Sequence, residues 1–523
     1  MILLCTVVSL VVLQCHSFAF RLIARRVDFW CRKPATFGNL STAEWKQVGL
    51  PPRPDGTHSQ CEVYDNPLSP RRLPVPCTSW DYEPGARSII TTWDLVCNME
   101  WVVSFSAVTY MMGAAISVPT MGMVADRKGR RPVTCIAVAI LLLAGFTTCI
   151  TNSLTLFVCA RCVVAASTST IFVTLFILLF EVMPAKCRTL YGVIAVSPGV
   201  GIATVLFVVL GQFCLDWRVT QAIFMGLTSL LVITFYIVGE SPCWLITCSN
   251  FKKAETAVLW AAKMNGEPLD VVRKRFAKLK NAILMTEECV SPRAVTPAFL
   301  LGKPMLRGRC CMLFFCWCII MFSVYGLAQT QLRRELGWAK IVITVCPGPL
   351  SVLAYYAIKK LGSKITLVLA LGAVGVASAG LMGSYPNSLL PFTNLLLLIA
   401  RGSTFVAVSV NYIYTAEVFP TVLRSVGVCT SYFCGGLGAA AATFVMDPET
   451  GIPVSVGMAI LACLVLLAEL TLLKLPETSP QPLAKTLKQF EEMNYKKFLQ
   501  DSENIRKASE AQTKQPGEVK DRL

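Results

Sequence analysis

The sequence GMVADRKGRRP, residues 122–132, places five charges within six positions between two long uncharged stretches. Residues 101–125 carry no charged side chain, and neither do residues 132–160. Each stretch exceeds the roughly 18–20 apolar residues that a helix needs to cross a bilayer. The segment therefore predicts a short charged turn between two membrane-spanning helices. Gly122 and Gly129 would permit close helix approach and a tight turn there.

The overall composition extends this prediction to the whole chain. Among its 523 residues, 54% are hydrophobic and 15% are charged, whereas about 25% of a typical soluble domain is charged. Open strands would leave backbone groups without hydrogen bonds in lipid, so every apolar stretch is expected to be a helix. We predict an all-α membrane protein with twelve spans, at residues 2–20, 101–124, 133–150, 154–180, 191–211, 219–239, 310–328, 341–358, 365–385, 389–415, 426–446 and 453–473.

The basic residues predict which side of the membrane each short loop occupies. Alternate loops contain Lys or Arg, whereas residues 151–153, 386–388 and 447–452 contain neither. Because cytoplasmic loops are the ones enriched in Lys and Arg, the basic loops and both termini are placed in the cytoplasm. This bias accounts for the net charge of +17, and no nucleic-acid partner is expected.

One long loop, residues 21–100, is placed outside although it begins with several basic residues. Asn39 opens a glycosylation sequon, which acts only on the lumenal side. The loop also contains four cysteines, which favour an oxidising compartment and disulfides; they are Cys31, Cys61, Cys77 and Cys97. Four cysteines allow three pairings, all of which stay open. A cleaved signal peptide is the rival interpretation of the first span.

The remaining cysteines and the two histidines do not predict a metal site. Most of these cysteines lie in apolar stretches, where they are expected to be small buried hydrophobic residues with free thiols. Cys159 and Cys162 have metal-like spacing, but no second Cys or His pair matches them. No cofactor is expected, and no nucleophile and base are recognised that would indicate an enzyme.

The two halves of the chain repeat each other. Glu181 is followed by Pro184 and Arg188, and the same spacing recurs 236 residues later at Glu417, Pro420 and Arg424. Gly129 corresponds to Gly362, Arg161 to Arg401, and Glu240 to Glu477 at similar offsets. A duplicated unit of six spans is typical of transporters, whose substrate site lies between the repeats.

Several motifs resemble those of a known family. GMVADRKGRR is similar to the loop signature of the major facilitator superfamily. ESPCWL, EVFPTVLRSVGV and LPET resemble motifs of its organic cation/anion transporter family, as does the cysteine-bearing loop that ends PCTSWDYEPGARSIITTWDLVC. The resemblance runs from the first span to about Glu477. It implies the major facilitator superfamily fold, with twelve transmembrane helices in two six-helix halves.

Four regions are expected from this resemblance and from the spans. Residues 1–239 form the N-terminal half with its extracellular loop, and residues 240–309 form a cytoplasmic loop with short amphipathic helices. Residues 310–475 form the C-terminal half, and residues 476–523 form a cytoplasmic tail that is partly disordered.

The charged residues at the membrane edge are expected to form pairs, because an unpaired charge there is costly. The resemblance implies that such pairs hold the cytoplasmic side closed in the outward-facing state. The alternative is that they only orient the spans. The motif residues, N-terminal half first, are Gly122, Asp126, Arg127, Gly129, Arg130, Arg131, Arg161, Glu181, Arg188 and Glu240, then Arg401, Glu417, Arg424 and Glu477.

The central cavity is expected to lack a fixed charge. Relatives carry a charged residue in the eleventh span, where Gly436 stands here. A strongly charged solute would lose hydration without compensation in such a cavity, which favours neutral, zwitterionic or bulky amphipathic solutes and leaves the charge class open. The expected lining is aromatic and polar: Trp317, Phe322, Tyr325, Tyr412, Tyr432, Phe433, Ser167, Ser169 and Gln329.

These observations predict a plasma-membrane transporter of small organic solutes that works by alternating access. Proton coupling would need a titratable carboxylate or histidine inside a span, and we assign none, so facilitated transport or exchange is favoured. The alternative is a receptor or scaffold that has the same fold and no longer transports.

Overall fold

The computed structural model describes residues 1–25, 27–53, 57–67, 72–85, 87–184, 187–213, 216–285, 296–302, 304–329, 347–384, 390–419, 423–446 and 452–477. Within these ranges, eleven helical segments are long and apolar enough to cross a membrane. They correspond to eleven of the predicted spans. The predicted span at residues 341–358 begins outside the described residues, and its described part belongs to a helix that starts at residue 347. Most of the predicted tail, residues 478–523, also lies outside them.

The first span is α1 (Ile2–Phe18), continued by the short α2 (Phe20–Ile23). It extends three residues beyond the predicted end at residue 20. It leads directly into the long loop, in which β1 (Phe29–Cys31) is the first strand.

The loop at residues 21–100 is a small folded unit rather than an irregular connection. Two antiparallel ribbons pair its strands, β1 with β4 and β2 with β3. The helix α3 begins at a capping box in which Ser41 and Glu44 bond each other's backbone amides. The further elements are α3 (Thr42–Gly49), β2 (Glu62–Tyr64), β3 (Pro74–Pro76), β4 (Trp80–Tyr82), α4 (Ile89–Trp93) and 3-10 turns at Ala35–Phe37 and Cys97–Met99.

Disulfides hold this unit together. Cys31 pairs with Cys77, and Cys61 pairs with Cys97, which selects one of the three pairings that the sequence allows. The Tyr82 hydroxyl donates to Asp94 Oδ1 at 2.8 Å. Partial burial, followed by this hydrogen bond, raises the pKa of the Tyr82 phenol above its ordinary value.

The remaining helices of the N-terminal half follow the predicted spans closely. Gly129 separates α5 from α6 with φ +104° and ψ 158°, a conformation that is essentially restricted to glycine. The helix α7 is enclosed by its neighbours along most of its length. The bounds are α5 (Trp101–Lys128), α6 (Arg130–Ile150), α7 (Leu154–Val182), α8 (Arg188–Gln212) and α9 (Trp217–Ser229), which a 3-10 turn (Leu230–Ile233) joins to α10 (Thr234–Ile237).

Four short helices connect the halves, and six long ones form the C-terminal half. The connecting helices are α11 (Pro242–Thr247), α12 (Phe251–Met264), α13 (Leu269–Met285) and α14 (Pro297–Gly302). The C-terminal half contains α15 (Pro304–Gln329), α16 (Pro347–Leu361), α17 (Ser363–Ser384), α18 (Leu390–Val418), α19 (Arg424–Val445) and α20 (Val454–Leu473). The helices α7 and α18 begin 236 residues apart (390 − 154), as the repeat predicts.

The two halves meet along a seam formed mainly by α5 against α19 and by α8 against α16 and α18. Small residues allow this close approach. A Cβ atom at Gly436 would lie 2.4 Å from the Cβ of Ala115, and one at Gly122 would lie 2.5 Å from the Sγ of Cys429. A larger side chain at the position of Gly436 would therefore force the helices apart.

The helix α5 gives the seam two distinct ends. It begins at Trp101, directly after the disulfide-bonded loop, and ends at Lys128, within the charged segment of residues 122–132. We call these the disulfide end and the hinge end.

Candidate functional site at the seam

A chamber lies between the halves, lined by α1, α5 and α8 on one side and by α15, α18 and α19 on the other. Its volume is about 50 Å³. One water molecule needs roughly 10–15 Å³, so the chamber has room for a few waters and must widen to admit an organic solute. None of the described residues that line it is charged, and its polar side chains are Gln14, Ser17, Tyr110, Tyr325, Tyr412 and Tyr432.

Aromatic contacts across the seam keep the chamber narrow. The Tyr432 hydroxyl donates to Ser169 Oγ at 3.0 Å. The Tyr412 ring lies 5.3 Å from that of Phe176, centre to centre. Tyr325 stacks on Phe18 at 5.4 Å towards the disulfide end. In each pair one residue belongs to each half, so these contacts must separate before the chamber can open.

The predicted cavity residues divide into two groups. Tyr325, Tyr412, Tyr432 and Gly436 lie at the chamber wall. Trp317 and Phe322 lie behind it, both buried in the core. Trp317 donates its indole N–H to Thr415 Oγ1 at 2.8 Å and supports Tyr412 from behind, with ring centres 4.7 Å apart.

The minor candidates for the lining also differ in position. Ser167 is buried and Phe433 is half-buried, and neither belongs to the described lining. The side chain of Gln329 lies outside the described residues. Three polar lining residues were not predicted from the sequence: Gln14, Ser17 and Tyr110. Tyr110 stands within an uncharged span, where its hydroxyl is the signal that indicates a polar lining.

The N-terminal hinge is an ion cluster centred on Arg130. Its Nη2 atom lies 2.9 Å from Asp126 Oδ1 and 2.9 Å from Glu181 Oε1, and all three side chains are largely buried. The same Nη2 lies 3.2 Å from Ser425 Oγ in the C-terminal half. One guanidinium group therefore joins two carboxylates of its own half and contacts the other half.

Glu240 completes this hinge by bonding to the start of α6. Its carboxylate accepts from the backbone amides of Arg130 at 2.9 Å and Arg131 at 3.2 Å. The first amides of a helix have no partner within the helix, and the positive end of the helix dipole favours an anion. Arg131 directs its guanidinium to Phe235 O, and Arg127 is exposed, so neither side chain joins the buried cluster.

The C-terminal hinge has the same backbone plan. Gly362 has φ +95°, and Glu477 accepts from the amides of Lys364 at 3.2 Å and Ile365 at 3.4 Å at the start of α17. At the position that corresponds to Arg130 stands Ser363, whose hydroxyl donates to Glu417 Oε2 at 2.9 Å. A neutral donor thus replaces the guanidinium group.

Arg188 and Arg424 differ from the expected pairing within each half. The charge of Arg188 is attracted by Glu417 across the seam. The charge of Arg424 is attracted mainly by Glu181, also across the seam, while its Nε donates to Ala416 O at 2.8 Å. The hinge end is therefore held by electrostatic attraction between the halves as well as within them.

Two arginines stand at the disulfide end. Arg21 lies over the Phe18 ring, 5.3 Å from its centre, and Arg401 donates from Nε and Nη2 to Leu327 O. Arg21 belongs to the N-terminal half and Arg401 to the C-terminal half, and their charges lie close enough to repel each other. Arg401 was expected to pair with the charges of the C-terminal hinge, and this expectation was wrong because Arg401 lies at the disulfide end. Arg21 was not among the predicted residues, although it directly follows the predicted first span.

The expectation that the spans contain no titratable carboxylate or histidine was wrong. His16 is fully buried in α1, where its Nε2 lies 3.0 Å from Thr228 Oγ1. Glu469 lies in α20. Arg161, one of the predicted motif residues, is buried in α7 seven residues after its start, away from the hinge. Length and hydropathy define spans as a whole, so single polar residues within them are easily overlooked.

The sequence of this chain matches the family model of the Major Facilitator Superfamily over residues 99–443. The chain belongs to the Major Facilitator Superfamily. Its predicted fold, with two six-helix halves and twelve membrane helices, is thereby confirmed. The protein is a multi-pass membrane transporter of small organic solutes, and nothing in these comparisons supports the receptor or scaffold alternative.

Relatives confirm the predicted resemblance within this superfamily. Solute carrier family 22 member 7 of Rattus norvegicus is 24% identical over 490 residues, which cover 88% of this chain and 89% of the relative. The protein of that name from Homo sapiens is 26% identical over 508 residues, covering 90% of each chain. The organic cation transporter protein of Drosophila melanogaster is 25% identical, covering 93% and 91%.

Solved structures of the superfamily share the fold at low sequence identity. The proton:xylose symporter XylE of E. coli, bound to 6-bromo-6-deoxy-D-glucose, superposes with a TM-score of 0.65 at 16% identity, covering 94% of this chain and 98% of that one. The human organic anion transporter MFSD10 gives 0.56 at 13% identity, covering 90% and 98%.

Proposed function

We propose that this superfamily member carries organic anions across the plasma membrane by alternating access, as a facilitator or an exchanger. The observation that carries the proposal is electrostatic. The described chamber lining contains no carboxylate, whereas the disulfide end carries two arginines, Arg21 and Arg401, whose charges repel each other. An anion between these two arginines would relieve their repulsion, while a cation would add to it.

The names of the relatives leave the charge of the solute open. One relative is named for organic cations and one structural neighbour for organic anions. The proposed charge of the solute therefore rests on the side chains of this chain. The wall of tyrosines and aliphatic side chains suits the apolar body of an amphipathic acid, and the arginines suit its charged group.

Closure of the chamber at both ends supports alternating access. At the hinge end Arg130 contacts Ser425, and at the disulfide end Phe18 stacks on Tyr325. These contacts alternate in the cycle that we propose: the Arg130 cluster breaks when the chamber opens at the hinge end, and the aromatic pair breaks when it opens at the other. The proposed gate residues are therefore those of the two hinges at one end and the Phe18–Tyr325 pair at the other.

The proposed orientation places the hinge end and both termini in the cytoplasm. The disulfides of the loop and the exposed Asn39 support an extracellular disulfide end. We expect an Asn39→Gln variant to migrate faster on denaturing gels, matching wild type treated with a glycosidase. Identical migration of the two untreated proteins would remove Asn39 as a glycan site.

Uptake measurements test the proposed solute class. Cells that express the protein would receive a labelled aromatic carboxylate, its primary amide or a quaternary ammonium ion of similar size. We expect saturable uptake of the carboxylate above that of empty-vector cells, and faster uptake into cells preloaded with the carboxylate if the protein is an exchanger. Uptake of the ammonium ion without uptake of the carboxylate, at equal surface expression, would refute the proposal.

A further inference from the structure

Arg161 carries a charge in a place where a charge is costly. It is the eighth residue of α7, and only 1% of its surface is exposed. A cationic side chain within a span normally faces an anion or water. The function described so far gives this residue no role.

The surroundings of the Arg161 guanidinium compensate this charge only in part. Nη2 donates to the backbone carbonyl of His16 at 3.2 Å. The guanidinium carbon lies 4.6 Å from the centre of the Tyr110 ring and 5.9 Å from that of Phe20. Neutral carbonyls and aromatic faces offset less of the desolvation cost than a carboxylate would.

Two donors of the same group are left without an acceptor. Nε and Nη1 of Arg161 are buried and have no hydrogen-bond partner. Within the described ranges, no Asp or Glu forms a salt bridge with Arg161. Buried donors are nearly always satisfied in native structures, so orphaned ones indicate a ligand or an alternative state.

Tyr110 separates the guanidinium group from the chamber. Its ring covers Arg161 on one side, and the residue forms part of the chamber wall on the other. The hydroxyl lies 3.5 Å from the Oγ of Ser17, another lining residue, and it also interacts with the side chain of Thr168. A change of the Tyr110 rotamer would therefore connect the unsatisfied donors with the solute space.

We propose that Arg161 is the site that binds the anionic group of the transported solute, and that Tyr110 covers this site when the chamber is empty. Nη2 has a second N–H besides the one that donates to His16 O, so a planar carboxylate can accept two parallel hydrogen bonds, one from Nη2 and one from an unsatisfied neighbour, Nε or Nη1. When the chamber widens, the Tyr110 side chain moves aside and the anion takes its place against Arg161. This inference rests on the proposed function, because it requires an anionic solute.

Binding to the purified full-length protein in nanodiscs tests the site, with the aromatic carboxylate and its primary amide as probes. For Arg161→Gln we expect the Kd of the carboxylate to rise at least about tenfold, because the variant loses a hydrogen bond to a charged group. The Kd of the amide should stay within about twofold of its wild-type value. Arg161→Lys retains the charge and should recover most of the preference for the carboxylate. A purely structural role would shift both ligands equally in both variants and would overturn the proposal.

A second variant keeps the test informative if Arg161→Gln does not fold. Tyr110→Phe retains the ring and removes the hydroxyl contact with Ser17, so the cover should open more easily. We expect the Kd of the carboxylate to fall by about two- to fivefold and that of the amide to stay constant. An unchanged carboxylate Kd in Tyr110→Phe would contradict the covering role.

A further measurement distinguishes a site for the organic carboxylate from a site for an inorganic anion such as chloride. Exchange of chloride for gluconate should leave the effect of Arg161→Gln on carboxylate binding intact. If the variant loses only a chloride-dependent thermal stabilisation and binds the carboxylate like wild type, the site holds an inorganic ion and the proposal fails. Failure of the proposed function looks different, because wild type itself would then bind and carry no carboxylate.

Discussion

The two hinges share a backbone plan and differ in their charges. In each, a glycine with positive φ precedes a helix, and a glutamate from the end of the same half accepts from the first amides of that helix. In the N-terminal hinge Arg130 then joins two carboxylates, whereas Ser363 in the C-terminal hinge makes one hydrogen bond to Glu417.

The features that the hinges share and the charges in which they differ meet two separate physical requirements. The start of a buried helix must have its amides satisfied in either half, so the glycine and the glutamate occur twice. A guanidinium group that bridges two carboxylates suits a place where, as we propose, a contact holds the halves together and then releases them. The Arg130 guanidinium donates across the seam to Ser425 Oγ, whereas the Ser363 hydroxyl bonds to Glu417 within its own half.

The largest expected effect comes from Asp126→Arg. This change places a second guanidinium group beside Arg130 in a buried cluster, so the closed hinge would contain two adjacent cations. We expect uptake to be abolished while surface expression, measured by biotinylation, is retained. Unchanged uptake at normal surface expression would remove the cluster from the gate.

Arg130→Gln and Ser363→Ala compare the two hinges at the same position. Removing Arg130 leaves two buried carboxylates without their partner, which costs about 3–5 kcal/mol. Removing the Ser363 hydroxyl, which bonds to a carboxylate, costs about 1.5–3 kcal/mol. Thermal unfolding of the purified proteins should show a clearly larger loss for Arg130→Gln, and equal losses would mean that the hinges are equivalent.

Alanine substitution of the two hinge glycines tests the shared backbone plan. Residues other than glycine are strained in this conformation by about 1–3 kcal/mol, and a Cβ at Gly129 would overlap Glu240 while one at Gly362 would overlap Glu477. We expect Gly129→Ala and Gly362→Ala to lower the unfolding temperature by similar amounts. A strong effect in only one half would argue against a common plan.

Arg127→Gln should have the smallest effect. Arg127 belongs to the same charged motif but is exposed and lies outside the Arg130 cluster. We expect uptake and unfolding temperature close to those of wild type, which makes this variant the matched control for Arg130→Gln. A loss of uptake comparable to that of Asp126→Arg would show that the motif acts through its total charge rather than through specific pairs.

Much of the fold could be predicted because membrane helices are defined by length and hydropathy. Eleven described spans coincide with predicted ones to within a few residues at most ends. The hinge residues could also be found, since charges at the membrane edge are rare enough for the repeat at Glu181 and Glu417 to stand out. Disulfide pairing could not, because it depends on which cysteines of the folded loop come within about 6 Å of each other.

The chamber was predicted less well, for a related reason. The helix α15 is apolar on all sides, so periodicity does not indicate which face meets lipid, core or chamber. Trp317 and Tyr325 were therefore both predicted to line the chamber, although Trp317 lies behind its wall and Tyr325 lies at it. Tyr110 and Gln14 were missed because a single polar side chain in an apolar span does not show by itself whether its face of the helix meets the chamber or a neighbouring helix.

The sequence by itself determined the twelve spans, the duplication and the composition of both hinges, because these depend on residue type and on spacing along the chain. Only the tertiary structure decided that Arg130 contacts the other half, that the charges of Arg21 and Arg401 repel each other, and that Tyr110 covers Arg161. The reason is that these relations join residues far apart in the chain. Their chemistry depends on which side chains the packing brings within a few ångströms, and spacing along one helix carries no information about that.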